Sequence, residues 1–172
     1  MAFTRKTYNI LKIIFIILAL AINFYILAQA LLPSEQSTAS ASPVVETAAD
    51  VVNTFQPETI DKSNIPGWFT TLIRKLFGHF GLFAVSGIIT SLAVYFSLKF
   101  HERFFHHYHM GVLSLIIGLV MAFGSELCQL IPSGRSCEIR DVLIDFSGYL
   151  MGFLLLSIIL LILVKRHKIK MV

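Results

Sequence analysis

Glu126 stands near the end of an apolar run, residues 110–131, that is otherwise suited to lipid. Gln129, Arg135, Glu138, Arg140, Asp141 and Asp145 follow it around the break at residues 131–134. Charged residues make up only 14% of the chain, so four carboxylates and two arginines between two hydrophobic blocks are a concentration. An ionisable group at membrane depth is costly and is by default a candidate functional group. Three kinds of chemistry fit these residue types. Arginines bind phosphate or carboxylate bidentately, which makes Arg135 and Arg140 candidates to hold an anion. Burial and neighbours can move an imidazole and a carboxylate toward neutral pH, so His79 and Glu126 are the candidate acid–base groups, with Gln129, Arg135, Asp141 and Asp145 as candidate binding residues. A metal site from His79, Glu126, Asp141 and Asp145 has acceptable ligand types, but no compact motif such as HExxH is present. It ranks last of the three, and no metal or cofactor is expected. A purely structural network, with Arg135 and Arg140 neutralising Glu126, Asp141 or Asp145, stays open beside them, because isolated charges in hydrocarbon are so unfavourable.

The elements that must position these groups follow from composition. The chain has 172 residues and is 56% hydrophobic, above the 45–50% or so usual for globular domains, and the excess is concentrated in blocks. An integral membrane protein is expected, and its length suits a single domain. The net charge of +4 does not call for a nucleic-acid partner, since most basic residues flank apolar blocks. Two cysteines give neither a disulfide framework nor a zinc-finger spacing. Blocks at residues 10–32, 76–98, 110–131 and 142–164 each approach the ~20 residues needed to cross a bilayer, and in lipid they must be helices.

Lys and Arg set the orientation. Arg5, Lys6 and Lys12, then Lys99 and Arg103, then Lys165, Arg166, Lys168 and Lys170 fall in three segments that four crossings put on one side. By the positive-inside rule that side is cytoplasmic, so both termini are expected inside and residues 33–75 and 132–141 outside. The expected fold is therefore an all-α membrane protein with four transmembrane helices, N-in and C-in, multi-pass in a bacterial inner membrane. Ala28, Gln29 and Ala30 resemble a signal-peptidase site, and cleavage there would leave three spans. An uncut span is preferred because the apolar run continues to Leu32.

The chain divides into an N-terminal transmembrane helix, residues 1–32, a flexible external linker, residues 33–64, and a three-helix membrane domain, residues 65–172. The linker is rich in Ser, Thr and Ala and shows no clear apolar periodicity. Trp68, Phe69, Leu72, Ile73 and Leu76 then recur at helical spacing and suggest an interfacial helix leading into the second span. A simple aromatic-belt role for Trp68 fits equally well. On this topology His79 lies about 5 Å below the outer end of its helix and Glu126 about 8 Å below Ile131, while the fourth helix re-enters at Asp141 and Asp145. Three helices thus deliver ionisable groups to a similar depth. Gly118, Ala122, Ser125 and Gln129 form one small and polar stripe, and Gly148 and Gly152 form a small-xxx-small pair that lets helices approach closely.

Weaker signals surround this core. His101, His106, His107 and His109 crowd a short loop, for which a solvated interfacial segment is the simpler account. Cys128 and Cys137 are expected as free thiols, and the basic C-terminus suits anionic headgroups.

Taken together, Glu126, Gln129, Pro132, Gly134, Arg135, Asp141 and Val142 resemble the core motif of the VanZ-like family of bacterial membrane proteins. His79-Phe80 is similar to the pair that begins an earlier helix of that family. On these motifs the resemblance covers about residues 74–155. Asp145 departs from it, since the family usually carries Asn four residues after the Asp. The family takes its name from a member linked to resistance to teicoplanin, a lipid-bearing glycopeptide. The resemblance implies a small polytopic protein linked to glycopeptide resistance or envelope homeostasis, with the lipid bilayer and an amphiphilic or lipid-linked envelope molecule as partners. Whether it is an enzyme on a lipid-linked substrate, a binding protein or a structural subunit stays open at this level. A transporter is disfavoured, because no repeat or broken helix pair is visible.

Overall fold

A backbone in hydrocarbon can satisfy only its own N–H and C=O groups, and each long apolar block accordingly becomes a helix. The structure is a computed structural model and describes residues 5–57, 59–98 and 107–165. It is all-helical: α1 (Arg5–Ala30), α2 (Ser34–Phe55), α3 (Gly67–Ile73), a π-helical segment (Arg74–Gly81), α4 (Leu82–Leu98), α5 (His107–Cys128) and α6 (Ile139–Lys165). Four helices are long and apolar enough to cross a membrane: Arg5–Ala30, the continuous run Gly67–Leu98, Met110–Cys128 and Ile139–Leu163. Their outer faces carry exposed Ile13, Ile17, Leu20, Phe24, Val120, Leu143, Ile158 and Leu161, a surface suited to lipid. Lys99, Arg103, His101, His106, the side chains of His107, His109 and Lys165, and the basic residues beyond Lys165 lie outside the described residues.

α4 and α6 form the spine of the bundle and run parallel. Gly148 lies on the Phe80 carbonyl and Gly152 on the Ala84 carbonyl, so tightly that a Cβ at either position would overlap the oxygen. The small-xxx-small expectation therefore holds, with Gly87 lying equally close to the Tyr149 backbone and Gly118 to the Tyr149 ring. α1 packs antiparallel to α4: the Phe15 and Phe96 rings stack at 5.3 Å, and Asn23 reaches Thr90 and Ser86 one turn apart. A buried polar chain continues from there. Ser91 and Ser114 hydroxyls meet at 2.7 Å and Ser114 meets Tyr149 Oη at 3.1 Å. Such bonds tie helices together where lipid supplies no hydrophobic drive.

Residues 33–64 are not the flexible linker the composition suggested. Most of the stretch is α2, and Val45 and Ala49 on its inner face are buried against Ile60, Phe69 and Ile73. Alanine favours the helix, and Thr38, Ser42, Thr47 and Thr54 turn their hydroxyls back to carbonyls four residues earlier, so they cost it little. Near the end of α2, the Asn53 amide both donates to the Ile60 carbonyl and accepts the Ile60 N–H, and Lys62 pairs with Asp50. The proposed interfacial face also divides. Phe69 and Ile73 are buried under α2, whereas Trp68, Leu72 and Leu76 are exposed, and α3 runs straight on into the second candidate span.

Candidate functional site

The candidate site forms at the end of the bundle where α1 and α5 stop and α6 begins. Two ladders of residues four apart face each other across the parallel pair. Lys75 and His79 come from the π-helical segment, and Asp141 and Asp145 from α6. Lys75 Nζ is 2.5 Å from Asp141 Oδ1 and His79 Nδ1 is 3.0 Å from Asp145 Oδ1. π-helical turns occur preferentially at functional positions, because the wider turn re-aims side chains that a regular helix would point elsewhere.

Glu126 completes the group from α5. It is 0% exposed and Asp145 is 1% exposed, so both carboxylates are wholly inside the protein. Ligating atoms of His79, Glu126 and Asp145 lie within 4.8 Å of one another. Three helical segments thus each bring one ionisable group to a common point. Each carboxylate is fixed from behind. The Ser125 hydroxyl donates to Asp145 Oδ2 at 3.3 Å, the Gln129 amide N–H donates to Glu126 Oε1, and the Glu138 backbone N–H donates to Glu126 Oε2 at 3.2 Å.

Gln129 is a relay. Its Nε2 serves Glu126, and its Oε1 accepts from Arg135 Nε at 3.1 Å and from an Arg135 terminal nitrogen at 2.7 Å. The other terminal nitrogen of Arg135 donates to the carbonyls of Gln29 and Leu32 at the end of α1, at 3.2 and 3.3 Å. A cation at a helix C-terminus satisfies carbonyls the helix leaves open. The turn that brings Arg135 there needs Gly134, whose φ of 75° lies in the left-handed region.

The arginine–carboxylate network that the sequence left open does not form among the described residues. Arg135 meets Gln129 and backbone oxygens instead of a carboxylate, and Arg140 is exposed. The basic partner of Asp141 is Lys75, which also approaches Glu138 at 3.9 Å. Asp141 thus stands one turn away from the His79–Glu126–Asp145 group. Lys75 was missed because a helical wheel puts it on the polar side of an interfacial helix; its spacing of four from His79 was the available signal. Asn23, Thr90, Ser91, Ser114 and Tyr149 were also not singled out, since isolated amides and hydroxyls are common in membrane helices. Cys128 and Cys137 are free thiols in this structure, Cys137 exposed and Cys128 half-buried.

A cavity of about 230 Å³ adjoins the group. His79, Asp145, Ser125, Gln129 and Arg135 line its inner side. α1 contributes Tyr25 and Ile26, and α2 contributes Ser37, Ser40, Ala41 and Val44, so the segment taken for a linker is one of its walls. Arg74 also lines it, and its guanidinium donates to the Ser37 and Thr38 hydroxyls at 3.0 and 3.2 Å. Burial, and then the proximity of Arg74, pull the Arg135 guanidinium below the usual arginine range. It stays charged all the same.

The VanZ/LLP1 family model matches residues 12–161. The chain belongs to the VanZ/LLP1 family. The match takes in α1 and α2, which the motif resemblance had left out, in keeping with their place in the walls of the cavity. No curated protein and no solved structure matches the chain. Its family, its four candidate spans and this buried polar group together describe a VanZ/LLP1 membrane protein.

Proposed function

We propose that this VanZ/LLP1 protein receives the anionic head of an amphiphilic or lipid-linked envelope molecule in the cavity, at the outer leaflet of a bacterial inner membrane. The observation that carries this reading is the state of the two arginines. Arg74 and Arg135 both line the cavity, and both are held by neutral oxygens of serine, threonine, glutamine and the backbone. Their shape is fixed and, among the described residues, neither makes direct contact with a carboxylate, which is the preorganised form of an anion site. Val44, Ile26, Phe77 and Leu82 supply apolar wall for an attached chain. The positive-inside distribution of Lys and Arg supports an outward-facing cavity. Retention of a lipid-bearing molecule at this face accords with a role in glycopeptide resistance or envelope homeostasis.

The test is recovery of native lipids and wall precursors with detergent-purified protein. The wild type should retain an anionic amphiphile, and Arg74→Ala, which loses only contacts to α2, should retain several-fold less. Equal recovery by both would end the anion-pocket reading. A second reading, an enzyme acting on such a molecule, draws on one feature: the His79–Asp145 pair faces the cavity, with Glu126 behind it, as a general acid or base would. Turnover of the recovered molecule by wild-type protein, lost in His79→Gln, would favour it.

A further inference from the structure

We propose that His79 Nδ1 and the carboxylates of Glu126 and Asp145 form a binding site for a divalent transition-metal cation. The donor set is one imidazole nitrogen and two carboxylates, which suits Mn2+, Fe2+, Co2+ or Zn2+ better than the all-oxygen shells of Ca2+ or Mg2+. Ligand atoms about 2.0–2.2 Å from an ion lie about 3–4 Å from one another. The three ligand atoms here fall within 4.8 Å, so shifts of side-chain size close them on an ion. In that state Nδ1 gives up its hydrogen bond to Asp145 and binds the ion instead.

Charge gives an independent argument. Asp141, one turn away, has its own ammonium partner in Lys75. Glu126 and Asp145 are more deeply buried, yet His79 is the basic group they share, and among the described residues Glu126 forms no ion pair. Its oxygens are held instead by two neutral donors, Gln129 and the Glu138 N–H. Arg135 reaches Glu126 only through Gln129, so in direct contact two buried carboxylates face one imidazole, an arrangement for which protonation, closer pairing or metal coordination is the remedy. The neutral donors also fit the second shell of a metal site, where hydrogen bonds orient each ligating carboxylate. Ser125 does the same for Asp145. His79 and Asp145 line the cavity, so open coordination positions would face it. The proposal stands apart from the amphiphile reading, because an ion can bind whether or not an anion follows.

The experiment uses full-length, tag-free protein in detergent, stripped with chelator and titrated with Mn2+ alone. Electron paramagnetic resonance should show one ion held per chain, with nitrogen coupling from His79. Asp145→Asn should weaken binding at least tenfold, in line with the ~10–100-fold typical even of second-shell losses. The exchange Glu126→Gln with Gln129→Glu conserves charge and hydrogen-bond partners while moving the carboxylate off the ion, and it should weaken binding likewise. Asp50→Asn, on α2, should leave affinity unchanged. Absence of bound Mn2+ from the wild type would overturn the proposal with no variant needed. So would a bound ion without nitrogen coupling, or wild-type affinity in Asp145→Asn.

Discussion

Exchanging Glu126 and Gln129 tests whether the relay from α5 to Arg135 holds the site together. In the native chain the Gln129 N–H serves Glu126 and the Gln129 oxygen takes two Arg135 donors. Glu126→Gln alone leaves one donor unmatched: with its oxygen toward Gln129 the new amide sets its N–H against the Glu138 N–H, and with its oxygen toward Glu138 it sets its N–H against Gln129, which can turn only by facing Arg135 with its own N–H. One hydrogen bond to a charged group is lost inside the protein, at about 1.5–3 kcal/mol. Gln129→Glu alone sets two carboxylates against each other in a buried site, with a cost of at least similar size. The double exchange restores every partner. The amide now at position 126 would donate to the carboxylate at position 129 and still accept the Glu138 N–H, and that carboxylate would accept both Arg135 donors as a charged pair. Each single variant should therefore lose about 2 kcal/mol, or about 4–8 °C of melting temperature for a chain of this size. The double variant should recover to within about 1 kcal/mol of wild type, for a coupling energy of about 3 kcal/mol or more. Thermal unfolding of the detergent-purified proteins measures all four corners of the cycle. Additive single losses, with coupling below about 0.5 kcal/mol, would show that Gln129 does not mediate between Glu126 and Arg135.

Gly152→Ala should destabilise the bundle by about 1–3 kcal/mol in the same unfolding assay, because its Cβ meets the Ala84 carbonyl and backbone cannot give way as a flexible side chain would. Gly124→Ala, with nothing within 4 Å, should be neutral or slightly stabilising through helix propensity. Ala49→Glu places a charge at a fully buried point of α2 and should undock it, so that limited proteolysis cuts within residues 34–64 while the remainder stays intact. Hydrogen bonds from the Ser63 hydroxyl and backbone N–H hold Asp61 below the usual carboxylate range. A depressed carboxyl stabilises its turn above the unfolded value and loses that effect as pH falls through its own lowered value. The Ser63 amide resonance should accordingly keep its bonded shift through the ordinary carboxylate range and move only in more acidic solution.

The centre of the site was legible because an ionisable residue in an apolar run is rare and helix length fixes its depth. His79, Glu126 and Asp145 could be brought together on that basis, and Gly148 and Gly152 announced a close crossing through their spacing. α2 was not legible, since its inner face is only a few small residues, Val45, Ala49 and their neighbours, within a Ser, Thr and Ala background typical of linkers. The partner of Asp141 was hidden for another reason. A regular helical wheel does not describe residues 74–81, and the π-helical turns bring Lys75 onto the face that meets α6. Arg135 was located in the right turn, but residue type alone favours a carboxylate partner. Only the fold reveals that a glutamine and the end of α1 reach it first.

The burial of Glu126 has a bearing on how the chain is made. The N–H that caps one of its oxygens comes from Glu138, at the approach to α6, and leaves the ribosome after α5. A third helix released alone into acyl chains would strand a carboxylate there. Biogenesis is therefore expected to hold α5 back until α6 has emerged, and to insert the two as a hairpin, with the last-made helix licensing the one before it.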